Sequence, residues 1–137
     1  IDPGTATYTA DSALRDRFRS TALHNTVTID RLPQSVPAGP FHWTRAAEGR
    51  AHRWRTNAAF DYLEATHDGY APLVHRRHVL SVHGDLIIVA DAVEGSGTHD
   101  VRVHWHLDPR WHVEVEGRHA RLRAPGERAE LVVSGGE

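Results

Sequence analysis

A carboxylate near the start of the chain and an imidazole some twenty residues on are the groups best suited to chemistry here. The opening segment Ile1-Asp2-Pro3-Gly4-Thr5 offers Asp2. The segment Arg19 to Asp30 offers His24, with the carboxamide of Asn25 beside it. Carboxylate oxygen and imidazole nitrogen are both ligand types that zinc accepts. A competing reading is local: Asp2 caps the Pro-Gly turn, His24 bonds to backbone and Asn25 completes a turn.

Other residues could contribute. The chain holds 12 histidines, and imidazole serves as acid, base or metal ligand. His104 and His106 would share one face of a strand and could clamp a metal, or could simply form a polar outer face opposite Val103, Trp105 and Leu107. His75-Arg76-Arg77-His78 reads either as an anion contact or as a strand face paired across a sheet. His67-Asp68-Gly69-Tyr70 reads as a substrate loop, or as a turn whose aromatic packs back. The tryptophans could stack on sugar rings or pack in the interior. Trp105 is expected in the core, and Trp43, after a Pro-rich loop, is the best placed for a surface role. No nucleophile elbow and no phosphate loop is present.

The elements that position these groups are mostly strands. Period-two alternation recurs from Thr26–Ile29 onward and predicts half-buried strands. Arg31 to Pro40 carries three prolines and a glycine and is expected to be a loop. Phe41 to Arg55 reads as one or two strands and Ala58 to His67 as another. Asp68-Gly69 is expected to turn, and Pro72 blocks a central strand there. A hairpin follows, with Val74 to His83, a Gly84-Asp85 turn and the apolar run Leu86 to Val89, expected to be buried on both sides. Later strands are expected over His99 to Leu107, Trp111 to Val115, His119 to Leu122 and Ala129 to Val133. Turn signals at roughly 8–12-residue spacing predict an all-β, antiparallel β-sandwich with at most one short helix. The helix is expected over Asp11 to Arg19, capped by Asp11 or Ser12.

Composition bounds the partners. At 137 residues the chain is expected to form a single domain, with enough length for a core. Net charge is -2, which gives no electrostatic reason to expect nucleic acid. No apolar run reaches the roughly 18 residues of a membrane span. There is no cysteine, so folding needs no oxidising compartment. All 16 basic residues are arginine, which suits bidentate contacts to carboxylate or sulfate groups. The start, Ile1-Asp2-Pro3-Gly4, reads like the middle of a longer protein.

The block Asp2-Pro3-Gly4-Thr5-x-x-Tyr8, then Arg19-Ser20-Thr21-x-x-His24-Asn25-Thr26-Val27-x-Ile29-Asp30, then Gln34, resembles the heparinase II/III-like polysaccharide lyases. His67-Asp68-Gly69-Tyr70, His75-Arg76-Arg77 and Asp91-x-x-x-Gly95-x-Gly97-x-His99 are similar to that family's pattern too. One departure is that Asp30 is followed by Arg31-Leu32, where members of the family often carry Asp-Gly.

The resemblance implies that residues 1–137 are the C-terminal, supersandwich-like β-sandwich of a bacterial, periplasmic or secreted lyase. In such a lyase an N-terminal helical toroid supplies the catalytic residues. It implies β-elimination on an acidic polysaccharide, with no catalytic residue in this chain. It implies zinc held by Asp2 and His24, with a third ligand upstream of Ile1, and substrate contacts from Tyr8, Arg19, Asn25 and Gln34. The alternative is a non-catalytic carbohydrate-binding or structural sandwich.

Overall fold

The computed structural model describes residues 1–84 and 86–135. They form two compact units, one of Asp2–Trp105 and one of Ile1 with the segment from His106 onward. The fold is an all-β antiparallel sandwich with one short α-helix, as the alternation and turn spacing predict.

In the larger unit, Asp11 caps α1 (Ser12–Phe18), its side chain accepting from the Leu14 amide at 2.9 Å. A 3-10 turn over Thr21–Leu23 leads into β1 (Val27–Ile29). Two short strands follow, β2 (Val36–Pro37) and β3 (Trp43–Arg45), which pair with each other. Then come four longer strands: β4 (Gly49–Thr56), β5 (Phe60–Tyr70), β6 (Leu73–Val82) and β7 (Leu86–Glu94). They pair in chain order as an antiparallel meander, and β8 (Val101–Val103) pairs back on β1. The smaller unit is a three-stranded meander of β9 (His112–Glu116), β10 (His119–Ala124) and β11 (Glu127–Val132).

The core of the larger unit is small and centred on β1. Val27, Ile29, Tyr70 and Leu73 are buried together, with Val93 packed against them. The Tyr70 hydroxyl donates to the Val27 carbonyl at 2.9 Å, so the aromatic buries its ring and still satisfies its polar end. Burial raises the pKa of that hydroxyl.

Several expectations are corrected. Alternation in β1 suggested half burial, yet Val27, Thr28 and Ile29 are all buried. The buried Thr28 hydroxyl is satisfied by His104 Nε2 at 2.9 Å, which is why a polar residue is tolerated there. Asp68-Gly69 is no turn. β5 runs through it, and the register shift between His67 and Tyr70 makes it a β-bulge, with the turn displaced to Ala71–Pro72. The bulge lets Asp68 accept from the Glu48 amide at 2.7 Å. It also brings Gly69 so close to the Pro-rich loop that a Cβ there would lie 2.6 Å from the Gln34 carbonyl.

Leu86 to Ile88 are exposed rather than buried on both sides, because β7 is the edge of its four-stranded sheet. Asp85, of the expected Gly84-Asp85 turn, lies outside the described residues. The strand expected over His99 to Leu107 is confined to Val101–Val103. Trp105 follows it without a strand to set its facing, and is 36% exposed rather than core.

The departure from Asp-Gly after β1 has a backbone consequence. Asp30 and Arg31 both have positive φ, 53° and 61°, and the Leu32 amide closes the turn on the Ile29 carbonyl at 2.9 Å. Asp30 supports its own strain by accepting from the Asp100 amide at 2.9 Å and from His99 Nδ1 at 2.8 Å. Among the described residues, the Arg31 side chain has an exposed contact to Asp100 at 3.4 Å. A left-handed non-glycine residue costs roughly 1–2 kcal/mol, partly offset by the extra chain entropy glycine loses. Arg31→Gly is therefore expected to stabilise the chain by about 0.5–1 kcal/mol, read as a rise in the urea midpoint at unchanged slope.

Candidate functional site

The 3-10 turn over Thr21–Leu23 ends at His24, whose extended backbone (φ -119°, ψ 159°) starts the run into β1. His24 Nδ1 lies 2.8 Å from Asp2 Oδ2. The other oxygen of Asp2 accepts from the Gly4 amide at 2.8 Å. Asp2 therefore caps the Pro-Gly turn, as the local reading expects, and its second oxygen engages the His24 ring, which that reading had bonding to backbone. The Gly4 amide, then the His24 ring, lower the Asp2 pKa. Bonding through Nδ1 leaves His24 Nε2 as the ring nitrogen not engaged by this carboxylate.

A groove of about 360 Å³ opens beside His24, lined by Arg19, Thr21, Thr26, Gln34, Ser35 and Trp43 as well. Three of the sequence-predicted site residues, His24, Arg19 and Gln34, thus share one surface. The Arg19 guanidinium is committed to the fold. It donates to the Gly39 carbonyl at 2.8 Å and lies 4.1 Å from the Trp43 ring centroid. It thereby seats Trp43, which is 41% exposed, along the groove. Tyr8 is not among the lining residues. Its ring stacks on Phe41 at 5.6 Å, and its carbonyl accepts from the buried Arg15 at 3.0 Å.

Asn25 is held from below by a network that the sequence did not reveal as one unit. Register places His67 opposite His75, and Arg77 opposite Asp91. His75 and Arg77, two apart on β6, share a face. Asp91 accepts from His75 Nε2 at 2.7 Å, from Arg77 Nε at 2.6 Å and from Arg77 Nη2 at 2.9 Å. Arg77 Nη1 donates to the Asn25 carbonyl at 2.6 Å.

The tautomers follow from one backbone donor. The Gly69 amide donates to His67 Nδ1 at 3.1 Å, so a neutral His67 carries its proton on Nε2 and donates it to His75 Nδ1 at 2.9 Å. His75 is then also protonated on Nε2, facing Asp91. Burial, with the neighbouring His75 second, lowers the His67 pKa, which keeps that ring neutral. For Asp91, burial pushes the pKa up, but the bonds from His75 and Arg77 outweigh it and bring the carboxyl from 3.8 to about 2.

The remaining basic residues of this cluster fulfil the paired-strand reading. Arg76 bonds Glu64 at 2.8 Å and Glu94 at 2.5 Å, and His78 Nδ1 meets the Tyr62 hydroxyl at 2.8 Å. Among the described residues no group of three or more His, Cys, Asp or Glu side chains is placed to hold a metal.

Because the folded pKa of Asp91 is depressed, its contribution is complete above pH 3.8 and is lost as pH falls toward about 2. A shift of this size corresponds to about 2 kcal/mol. Asp91→Asn is expected to be destabilising at neutral pH by about 3–5 kcal/mol, since it leaves Arg77 without its charge partner. The gap from wild type should narrow by about 2 kcal/mol between pH 4 and pH 2. Urea unfolding across that range measures both.

The chain matches the family described as heparinase II/III-like, C-terminal, over residues 1–137. A heparin-sulfate lyase of Pedobacter heparinus is 30% identical over 109 residues, covering 77% of this chain and 15% of that protein. No solved structure matches. With the family's pattern matched end to end over an all-β sandwich that joins Asp2 to His24, the chain belongs to the heparinase II/III-like C-terminal domain family.

Proposed function

We propose that this chain is the sandwich part of a polysaccharide lyase that, as an intact protein, cleaves an acidic polysaccharide by β-elimination. The observation that carries the reading is the Asp2–His24 pair at 2.8 Å beside a groove lined by Arg19, Gln34 and Trp43. In such a reaction a base takes the proton next to the uronate carboxylate. The carbon–oxygen bond to the leaving sugar then breaks, and a double bond forms between the two carbons. As the family resemblance implies, the base would come from a helical toroid domain of the same protein. The chain's own part is to form one wall of the cleft. Trp43 offers a ring face and Gln34 a carboxamide, while Arg19 holds Trp43 in place. Tyr8 and Asn25 complete the expected substrate contacts.

The donor set fits zinc in part. Asp2 and His24 supply a carboxylate and an imidazole, and a usual site takes at least three protein ligands. A zinc ion held there would contribute positive charge near the cleft and fasten the chain's first residues to the entry of β1. The name of the Pedobacter relative supports a glycan substrate for this family member; the secreted or periplasmic setting expected of such lyases is part of the same proposal.

The test uses the intact protein. Zinc measured by elemental analysis is expected at about one per chain, and to fall by more than tenfold in occupancy in His24→Ala and Asp2→Ala. Ultraviolet absorbance is expected to rise as unsaturated uronate forms from an acidic glycan. A metal-free protein with no absorbance change on heparan, chondroitin, alginate or exopolysaccharide substrates would sink the reading.

A further inference from the structure

The pattern Asp91-x-x-x-Gly95-x-Gly97-x-His99 ends on a histidine outside the candidate site. Both ring nitrogens of His99 face oxygen acceptors. Nδ1 lies 2.8 Å from Asp30 Oδ2, and Nε2 lies 3.1 Å from the Ser96 carbonyl. A neutral imidazole has one N–H and one lone pair, so it can serve only one of these oxygens. The imidazolium has two N–H donors and serves both.

The surrounding backbone is shaped to close on that ring. At Gly97, with φ 112°, a Cβ would lie 2.9 Å from His99 Nε2. At Gly95 a Cβ would collide with Leu73, a member of the buried core. The loop after β7 therefore packs on the core and on His99 through two positions that leave no room for a side chain. From the other side, Asp30 Oδ1 accepts from the Asp100 amide at 2.9 Å, and the Asp30 amide donates to the Asp100 carbonyl at 2.8 Å. His99 thus completes a ring of bonds joining the left-handed turn after β1 to the loop after β7. Asp30 is the carboxylate bonded to it. Asp100 beside it is held by Arg102 at 2.8 Å and Arg31 at 3.4 Å, and Glu94 at the head of the loop is held by Arg76.

The same chemistry recurs at His83. Its Nε2 lies 2.9 Å from Asp61 Oδ2 and its Nδ1 lies 3.2 Å from the Ala58 carbonyl, while Asp61 also accepts from the Thr56 hydroxyl. Each ring joins a carboxylate to the carbonyl of a turn or loop. The entry of β1 is held differently, by Arg77 on the Asn25 carbonyl and Tyr70 on the Val27 carbonyl, bonds that need no histidine proton.

We propose that His99 is a proton-operated latch on the exit of β1: as an imidazolium it ties the Asp30–Arg31 turn to the loop after β7, and loss of its proton releases that turn while the entry of the strand stays held. The Asp30 carboxylate, then the Ser96 carbonyl, raise the His99 pKa above its ordinary 6.5. The contribution of His99 is complete below pH 6.5 and is lost as pH rises through its folded pKa. The His99 ring, then the Asp100 amide, lower the Asp30 pKa below 3.8, so the contribution of Asp30 is complete above pH 3.8 and is lost as pH falls through its folded pKa. The latch is closed between these limits and opens on the alkaline side as a local event rather than as global unfolding. None of this depends on zinc or on a glycan.

The experiment follows the 137-residue chain by long-range proton–nitrogen spectra and by amide exchange, each rate divided by its intrinsic rate at the same pH. Below pH 6.5 both nitrogens of His99 are expected to be protonated, with a titration midpoint above that value. Protection of the Asp100 amide is expected to fall several-fold as pH rises through the same midpoint. The His104 amide, bonded to the Thr26 carbonyl at the entry of β1, should show no such step. Asp30→Asn should lower the His99 midpoint and leave that of His83 in place. His99→Gln should abolish the step at the Asp100 amide.

A His99 ring with one protonated nitrogen below pH 6.5, a midpoint at or under that value, or an Asp100 step that survives in His99→Gln overturns the proposal. Should either variant fail to fold, the wild type still decides, because the His99 midpoint and the Asp100 step must coincide.

Discussion

One half-hidden carboxylate organises the larger unit. Asp91 sits on β7, largely out of solvent, where an unpaired charge would be costly. Register answers that cost by placing Arg77 directly opposite and His75 two residues along the same strand. The two bonds from Arg77 and the one from His75 then fix both partners. Arg77 spends its remaining arm on the Asn25 carbonyl, and His75 fixes the ring of His67. With the Tyr70 hydroxyl on the Val27 carbonyl, the segment entering β1 is held to the meander at two carbonyls. The site residue His24 stands immediately before this clamped stretch.

Local preferences agree with this arrangement at several levels, which is what gives a sequence one structure. Asp11 starts α1, and α1 delivers Arg19 to the Pro-rich loop and to Trp43. Gly69 lies where any side chain would strike Gln34, so the bulge in β5 and the loop carrying Gln34 fit only together. The exception is the turn after β1, where Arg31 occupies a left-handed conformation better suited to glycine.

The legible part of the fold was local. Alternation and turn residues located the helix, the strand-forming stretch from Phe41 to Arg55 and the β6–β7 hairpin, because each depends on neighbours in sequence. Bulges were not legible. Asp68-Gly69 has the composition of a turn, and only pairing with β6 shows it as an inserted step within a strand. A bulge in β4, at His52, leaves no compositional trace, so Trp54 could not be assigned a face. Burial also escaped local patterning. Leu86 to Ile88 look like a buried strand, and their exposure follows from edge position, a property of strand order. At the site, Asp2 and His24 were named from residue type and family resemblance, whereas the His67–His75–Asp91–Arg77 network needed cross-strand register to become one unit.

The most direct test of the central claim reads the protons of this network. Long-range proton–nitrogen spectra of the imidazoles at neutral pH are predicted to show His67 and His75 both neutral. Each should be protonated on Nε2, with an unprotonated Nδ1 accepting a hydrogen bond. In Asp91→Asn the His75 pattern should change while that of the distant His83 stays put. A proton on Nδ1 of either ring in the wild type, or a His75 signal indifferent to Asp91, would contradict the account.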